Sequence, residues 1–495
     1  MRDILLKLSE SQSGKSKIKN IAIFGANHYG AQLERILKND NSYKMLNFFD
    51  DNKQLIGRNL NGLPILSINE IEKTKDKIDQ VYICVPLINR SYLRKVFDIF
   101  RTHNLPVLQV ASINDLTNKN LNLSNLKQIE IDEIIGRDVV KPNKEILSKA
   151  IKNSILMVTG AGGSIGSELC KQILKLKPKE LIILDSSEPS LYQIEKEIEK
   201  MNIKETSIQT ILGSACDRKH MERIFRANKI DSVFHAAAYK HVPLVEKNPL
   251  VGIFNNVIST KIICSLGLEF NIKQFVLISS DKAVRPTNVM GASKRLSELI
   301  VQAFSKISEN KIEENRTCFC MVRFGNVLGS SGSVVPLFKE QISNGGPVTI
   351  THEEMIRYFM TITEASQLVL QASVIAEGGD VLLLDMGEPM LIKDLAKRMI
   401  HASGLSVKTE NNPTGDIELK LTGLRPGEKL YEELLINAES IKTNHPLIFR
   451  AVEESIPPSK IFPEIDKLQK YLKDQDKEKA LNLLNYLVPE WTRRN

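Results

Sequence analysis

Residues 154–175 read SILMVTGAGGSIGSELCKQILK, an apolar β-rich run, a cluster of glycines and then a helical pattern. Gly160, Gly163 and Gly166 are spaced TGxxGxxG and sit between strand and helix, the context in which such glycines bring backbone amides close to a pyrophosphate. Ser164 and Ile165 fall in the first helical turn, where the N–H dipoles point at an anion. The next apolar run, ELIILDSSE at 180–188, ends in Asp185 and Ser186, where a carboxylate accepts hydrogen bonds from ribose hydroxyls. An acid there repels a 2′-phosphate, so NAD is favoured over NADP. This is the first βαβ of a doubly wound parallel sheet.

The same opening occurs earlier, in NIAIFGANHYGAQLERILK at 20–38, followed by MLNFFDD at 45–51. Here Gly25 and Gly30 are kept, but Asn27 stands where a glycine would let phosphate approach, and Asp50 or Asp51 would be the ribose acid. The pattern reads as a degenerate nucleotide pocket, or a domain kept for packing or regulation. The fold class expected is therefore α/β, with two Rossmann-like doubly wound parallel-sheet domains.

Outward from these loops, apolar runs alternate with helical patterns: QVYICVP (80–86) and PVLQVAS (106–112) in the first half, SVFHAAA (232–238), QFVLISS (274–280) and FCMVRFGNVLG (319–329) in the second. Such continuous runs suit strands covered on both faces. From about 330 the pattern breaks into shorter Gly- and Pro-bearing elements, as expected of a substrate-covering lobe. The division expected is a polar tail (1–18), a Rossmann-like domain (19–115), a connector (116–150), a nucleotide-binding domain with its lobe (151–450) and a helical C-terminal segment (451–495).

The 495 residues are 42% hydrophobic and 25% charged, a globular composition. The net charge of +8 is scattered, with no block long enough for a nucleic-acid tail; it supports at most peripheral attraction to anionic lipid or to a diphosphate. Six cysteines, none in a CxxC pair and most in apolar runs, indicate reduced thiols in a cytoplasmic protein and no metal site. The start has no signal peptide, and no run of about 18 apolar residues suggests a spanning helix.

Six phrases in order, TGAGGSIGSELCKQI, LDSSEPSLYQIEKE, HAAAYKHVPLVEKNP, SSDKAVRPTNVMGASKR, VRFGNVLGSSGSVVPLFKEQI and GLRPGEKLYEELL, make residues 151 to about 450 resemble the extended short-chain dehydrogenase/reductases of bacterial polysaccharide biosynthesis, specifically UDP-N-acetylglucosamine 4,6-dehydratases (CapD-like). The connector's IIGRD at 134–138 is similar to that family too. Many of its members carry N-terminal membrane helices, which this sequence lacks. The resemblance implies NAD as cofactor, a UDP-sugar as substrate, and a homo-oligomer. It implies that Asp217 contacts adenine, that Ala236, Ala237 and Ala238 line the nicotinamide path, and that Lys240 and His241 face the substrate. It further implies that Asn326 and Arg425 hold the UDP portion. A guanidinium on a Pro-Gly turn suits a phosphate in any case, its bland alternative being an ion pair with Glu428.

Carried over from the family motif, Asp281 is the acid at the carbon 6 hydroxyl and Lys282 the base at carbon 5. Oxidation at carbon 4 acidifies the carbon 5 proton, water leaves across carbons 5 and 6, and hydride returns to carbon 6. Lys282 must then be substantially neutral, its pKa lowered by desolvation or by a cation such as Lys294. Met290, four residues before Lys294, stands where these enzymes ordinarily place a tyrosine. The proton of the alcohol must pass to Asp281, to a water relayed through Ser280, or to Lys294 through the ribose. A UDP-sugar 4-epimerase needs no carbon 5 base, and a non-catalytic NAD- or nucleotide-sugar-binding regulator needs none of these groups.

Overall fold

The computed structural model describes residues 18–85, 90–110, 126–127, 144–425, 427–433 and 440–492. The polar tail before residue 18, most of the 116–150 connector and its IIGRD motif lie outside the described residues. The described chain divides into two units. One gathers the N-terminal sheet with residues 333–355 and 390–423; the other comprises 139–332, 356–389 and 424–495.

In the first unit the runs flanking the first glycine loop become β1 (Lys19–Phe24), α1 (His28–Lys38) and β2 (Tyr43–Asp50). With β3 (Asn59–Leu60), β4 (Leu63–Ser67), β5 (Gln80–Ile83), β6 (Val107–Val110) and β7 (Leu126–Lys127) they form one sheet of order β3-β4-β2-β1-β5-β6-β7. The five strands from β4 to β6 along that order are parallel. Sequence order alone attaches everything after 330 to the second sheet. The helix Ile392–Ala402 instead joins the first unit, with Ala402 in the core of Phe97 and Phe100 and Arg398 3.3 Å from Asp98.

The second unit carries the motif-bearing sheet. Its strands are β8 (Ile155–Thr159), β9 (Glu180–Asp185), β10 (Ser207–Leu212), β11 (Ser232–His235), β12 (Gln274–Ile278) and β13 (Cys318–Arg323), in spatial order β10-β9-β8-β11-β12-β13, all parallel. Three more strands (Val381–Leu384, Ile448–Ala451 and Ser440–Lys442) extend it, the last two antiparallel. Period-two alternation divides each strand between two cores: Leu156 and Val158 enter one layer and Met157 the other. The order reverses between β8 and β11, and it is outside the carboxyl ends of strands at such a switch point that a doubly wound sheet binds ligand.

The helix Pro249–Glu269 is long and apolar enough by composition to cross a membrane, unlike the sequence-based expectation. It is 67% buried and packs Ile253, Val257, Ile263 and Leu266 into the core, as an internal helix does.

Candidate active site

Three loops at the ends of adjacent strands β8, β11 and β12 build the site. After β8, Gly160 takes φ +68°, and a Cβ there would lie 2.6 Å from the Ala237 nitrogen. This glycine lets the loop pass against Ala236 and Ala237, which follow β11. A Cβ at Gly166 would lie 2.0 Å from the Gly160 carbonyl oxygen, so the third glycine packs helix on loop. Gly163 differs: it is the N-cap of α2 (Ser164–Lys175), with no side-chain cap, and only the Gly160 oxygen, at 3.2 Å, would meet its Cβ. The amides of the first turn therefore stay open to a ligand, a cradle that fits the pyrophosphate of a dinucleotide. Ser164 Oγ accepts from the Ser331 N–H (3.2 Å), and Ile165 packs against the sheet.

Asp185 ends β9 and is buried, one carboxylate oxygen accepting from the Gly162 N–H and the other from the Ser187 N–H, both at 2.8 Å. It fixes the glycine loop while exposed Ser186 borders it. Asp217, assigned to adenine by the resemblance, caps the helix Arg218–Ala227 by accepting from the His220 N–H at 3.0 Å. Thr159 and Ser259 hold His235 from either side, Oγ1 2.7 Å from Nδ1 and Oγ 3.3 Å from Nε2; burial, then Lys294, pushes its pKa down to about 3. Asn256, on the helix after β11, bonds Tyr239 N–H and carbonyl at 2.7 and 3.1 Å, fixing the path of Ala238 into Lys240.

After β12, Ser280 caps a single turn formed by Asp281, Lys282 and Ala283. Its hydroxyl donates to Asp281 Oδ1 at 2.9 Å, and Lys282 Nζ donates to the same oxygen at 2.9 Å. The Asp281 N–H is held by the Phe324 carbonyl at 3.0 Å. Asn326, which the resemblance assigns with Arg425 to the UDP portion, accepts at Oδ1 from Lys282 Nζ at 3.2 Å. Burial works to lower the Lys282 pKa, but the carboxylates of Asp281 and Glu432 outweigh it and raise the value. The lowered pKa expected from sequence is thus reversed: the two carboxylates hold Lys282 as an ammonium ion.

Met290 and Lys294 lie on the helix Val289–Glu309, both buried. Met290 is 3% exposed and packed in the apolar core. Lys294 donates to the Ile278 carbonyl at the end of β12, 2.6 Å away. Burial pushes its pKa down to about 8, with Glu298 acting in the opposite sense. Lys240 is also pushed down, by desolvation and then by the charge of Lys282. His241, likewise lowered by burial and then by Lys240, stands at the N-terminal boundary of the next helix without a side-chain cap bond and fills the space beside Gly332, where a Cβ would lie 2.1 Å from its ring.

Arg425 is exposed, and its guanidinium forms no ion pair with the described residues. Glu428 meets it through the backbone, accepting from the Arg425 N–H at 3.1 Å, so the surface ion pair is replaced by a turn. Two residues at the pair were not singled out from sequence: Glu432, 3.8 Å from Lys282, and Arg357, 3.8 Å from Glu432. They come from chain 150 and 75 residues beyond Lys282, and no spacing rule connects them to it.

A switch-point cleft with an open glycine loop on one side and an aspartate, two lysines and a serine on the other defines an extended short-chain dehydrogenase/reductase. The sequence matches the family described as "Polysaccharide biosynthesis protein" over residues 156–453, and a "CoA binding domain" over 16–90. It is 41% identical to the capsular polysaccharide biosynthesis protein CapD of Staphylococcus aureus over 83% of this chain and 66% of that protein. It is 39% identical to the probable polysaccharide biosynthesis protein EpsC of Bacillus subtilis over 85% and 69% respectively. Among solved structures, Pen from Bacillus thuringiensis superposes with a TM-score of 0.53 at 31% identity, covering 61% of this chain and 86% of that one. The chain belongs to this polysaccharide biosynthesis family as a CapD-like member, and spans about two thirds of the length of these curated relatives.

Proposed function

We propose that the protein is an NAD-dependent UDP-N-acetylglucosamine 4,6-dehydratase supplying a UDP-4-keto-6-deoxy sugar for polysaccharide assembly. The observation that carries this reading is the Asp281–Lys282 pair, 2.9 Å apart at the end of β12 and next to the Lys294 helix. NAD, held at the first turn of α2 by Gly163, Ser164 and Gly166, would supply the hydride acceptor for carbon 4 and the donor for carbon 6. The protein's own work is proton movement. A shift of one proton from Lys282 to Asp281 yields a neutral amine for carbon 5 and a protonated carboxyl for the carbon 6 hydroxyl at once. The raised Lys282 pKa is thus compatible with base catalysis, since the pair and not the lysine alone is the reacting unit. Each group correctly placed contributes roughly 10²- to 10⁴-fold in rate. Met290 cannot take the alcohol proton, which leaves Asp281, water at Ser280 or Lys294 for that step.

A second reading has support in a relative: a UDP-glucose 4-epimerase of Rickettsia akari is 32% identical over 58% of this chain. Epimerisation gives no use to the carbon 5 base. Incubation with UDP-N-acetylglucosamine and mass analysis decides: loss of one water supports the dehydratase, and unchanged mass with a new stereoisomer supports the epimerase. Absence of turnover points to a binding regulator.

A further inference from the structure

The turn at 427–433 delivers a second carboxylate to the acid–base pair. The Glu432 side chain is 4% exposed, with Oε1 3.8 Å from Lys282 Nζ and 3.8 Å from Arg357 Nη2. Its Oε2 is buried with no hydrogen-bond partner among the described residues. A buried carboxylate with an unpartnered oxygen costs free energy that only neighbouring cations offset. Its place is fixed without its own help. Arg357 donates to the carbonyls of Ile356, Leu430 and Lys429 at 2.8, 3.0 and 2.6 Å, and Lys429 Nζ donates to the Val284 carbonyl at 2.9 Å. Thr287 Oγ1 and Asn288 Nδ2 hold the Gly427 carbonyl at 2.8 and 3.2 Å. Anchoring the turn therefore does not account for an acid aimed at Lys282.

We propose that Glu432 is a positioning residue for the Asp281–Lys282 pair: with Asn326 it steers the Lys282 ammonium, and its charge sets the pH at which the pair gives up its shared proton. The inference rests on the dehydratase reading for its catalytic meaning, but not for the electrostatic coupling itself. The charged groups facing Glu432 are Lys282 and Asp281 from the loop after β12, Arg357 from the short strand Ile356–Arg357 and Lys429 from its own turn; Glu428 lies 3.9 Å from the same Arg357. Burial, and then Asp281, push the Glu432 carboxyl above the usual range against the pull of those cations. In return Glu432 helps keep Lys282 charged.

With one proton on the pair, Lys282 can act as base and Asp281 as acid; loss of that proton ends the elimination and forms the alkaline limb of the rate profile. Removing the Glu432 charge lowers the Lys282 pKa, so in Glu432→Gln that limb moves to lower pH by about one unit or more. KM for UDP-N-acetylglucosamine changes little, and Glu432→Asp restores part of the shift. Lower turnover at every pH with an unmoved limb would make Glu432 a structural strut and overturn the proposal. A nitrogen NMR titration of Lys282 Nζ in the full chain reads the same coupling without substrate. A downward shift in Glu432→Gln upholds it even if the wild type fails to turn over, a result that would sink only the dehydratase reading. An unshifted Lys282 sinks the inference whatever the turnover.

Discussion

At residue 30 and at residue 166 an added Cβ would lie 2.1 and 2.0 Å from the carbonyl oxygen of the loop's first glycine, Gly25 and Gly160 respectively. In both loops an aspartate at the end of the second strand accepts a loop amide, Asp50 from Ala26 at 2.7 Å and Asp185 from Gly162 at 2.8 Å. The two part company at the N-cap. Asn27 Oδ1 accepts from the N–H groups of Tyr29 and Gly30 at 2.9 and 3.1 Å, and its Nδ2 donates to the Cys84 carbonyl at 2.9 Å. Gly163, at the same place in the second unit, offers no side chain. The first loop answers its own amides with an amide oxygen, whereas the second leaves them for an anion. The N-cap residue thus marks the difference between a turn that satisfies its own amides and one that leaves them free.

The largest expected effect tests whether chemistry belongs to the second unit alone. Asp281→Asn lowers turnover of UDP-N-acetylglucosamine by roughly 10²- to 10⁴-fold, with NAD affinity nearly unchanged. Asn27→Ala leaves turnover as it is. Steady-state kinetics on both variants check this, and comparable losses would break the distinction between the loops.

Electrostatics sharpen the contrast next. The second unit buries Lys294 with a pKa near 8, well under the unfolded value of about 10.4. Between those limits the unfolded chain holds more protons, so stability from this group rises with pH across the window. The wild type should gain on Lys294→Met by about 3 kcal/mol between pH 8 and 10.4, measured by denaturant unfolding of the two proteins in parallel. A constant difference would mean that Lys294 is better solvated than its 5% exposure implies.

Exchanging the cap comes third. Gly163 has φ −72°, accessible to any residue, so Gly163→Asn can install the plug of the first loop. NAD affinity should fall by about 5- to 10-fold, as the asparagine competes for the first-turn amides with a bond worth about 1 kcal/mol or slightly more. Calorimetric titration reads it, and unaltered affinity would show that the cradle owes little to those amides.

How far the sequence carries can be judged from these same residues. The glycine spacing, the acid after the second strand and the loop bearing Asp281 and Lys282 all rest on neighbours within some 30 residues, and the structure has them at the carboxyl ends of β8, β9 and β12 of one parallel sheet. Asn27 was legible as a departure from the glycine pattern, but its role as cap depends on a side-chain rotamer that spacing does not encode. The charge of Lys282 was misjudged because the adjacent Asp281 carboxylate outweighs burial, with help from Glu432, which lies 150 residues away and which only the fold brings to 3.8 Å. Residues 390–423 were assigned by sequence order, which is blind to a helix that places Ala402 in the core of Phe97 and Phe100 of the N-terminal sheet.

The smallest effect concerns the first loop by itself. Asn27→Ala removes the cap of α1 and the bond to Cys84, yet it also uncovers the Tyr29 and Gly30 amides. The loss should be about 1 kcal/mol of stability, the usual cost of an N-cap asparagine, seen as a small fall in the unfolding midpoint. No dinucleotide site should appear in exchange. A Cβ at Gly25 would lie 2.5 Å from the Cys84 carbonyl oxygen, so the strand end that holds Cys84 closes over the loop independently of Asn27. A gain of nucleotide affinity in the first unit would therefore mean that the cap alone had kept the pocket shut, and that the two loops differ by less than their geometry indicates.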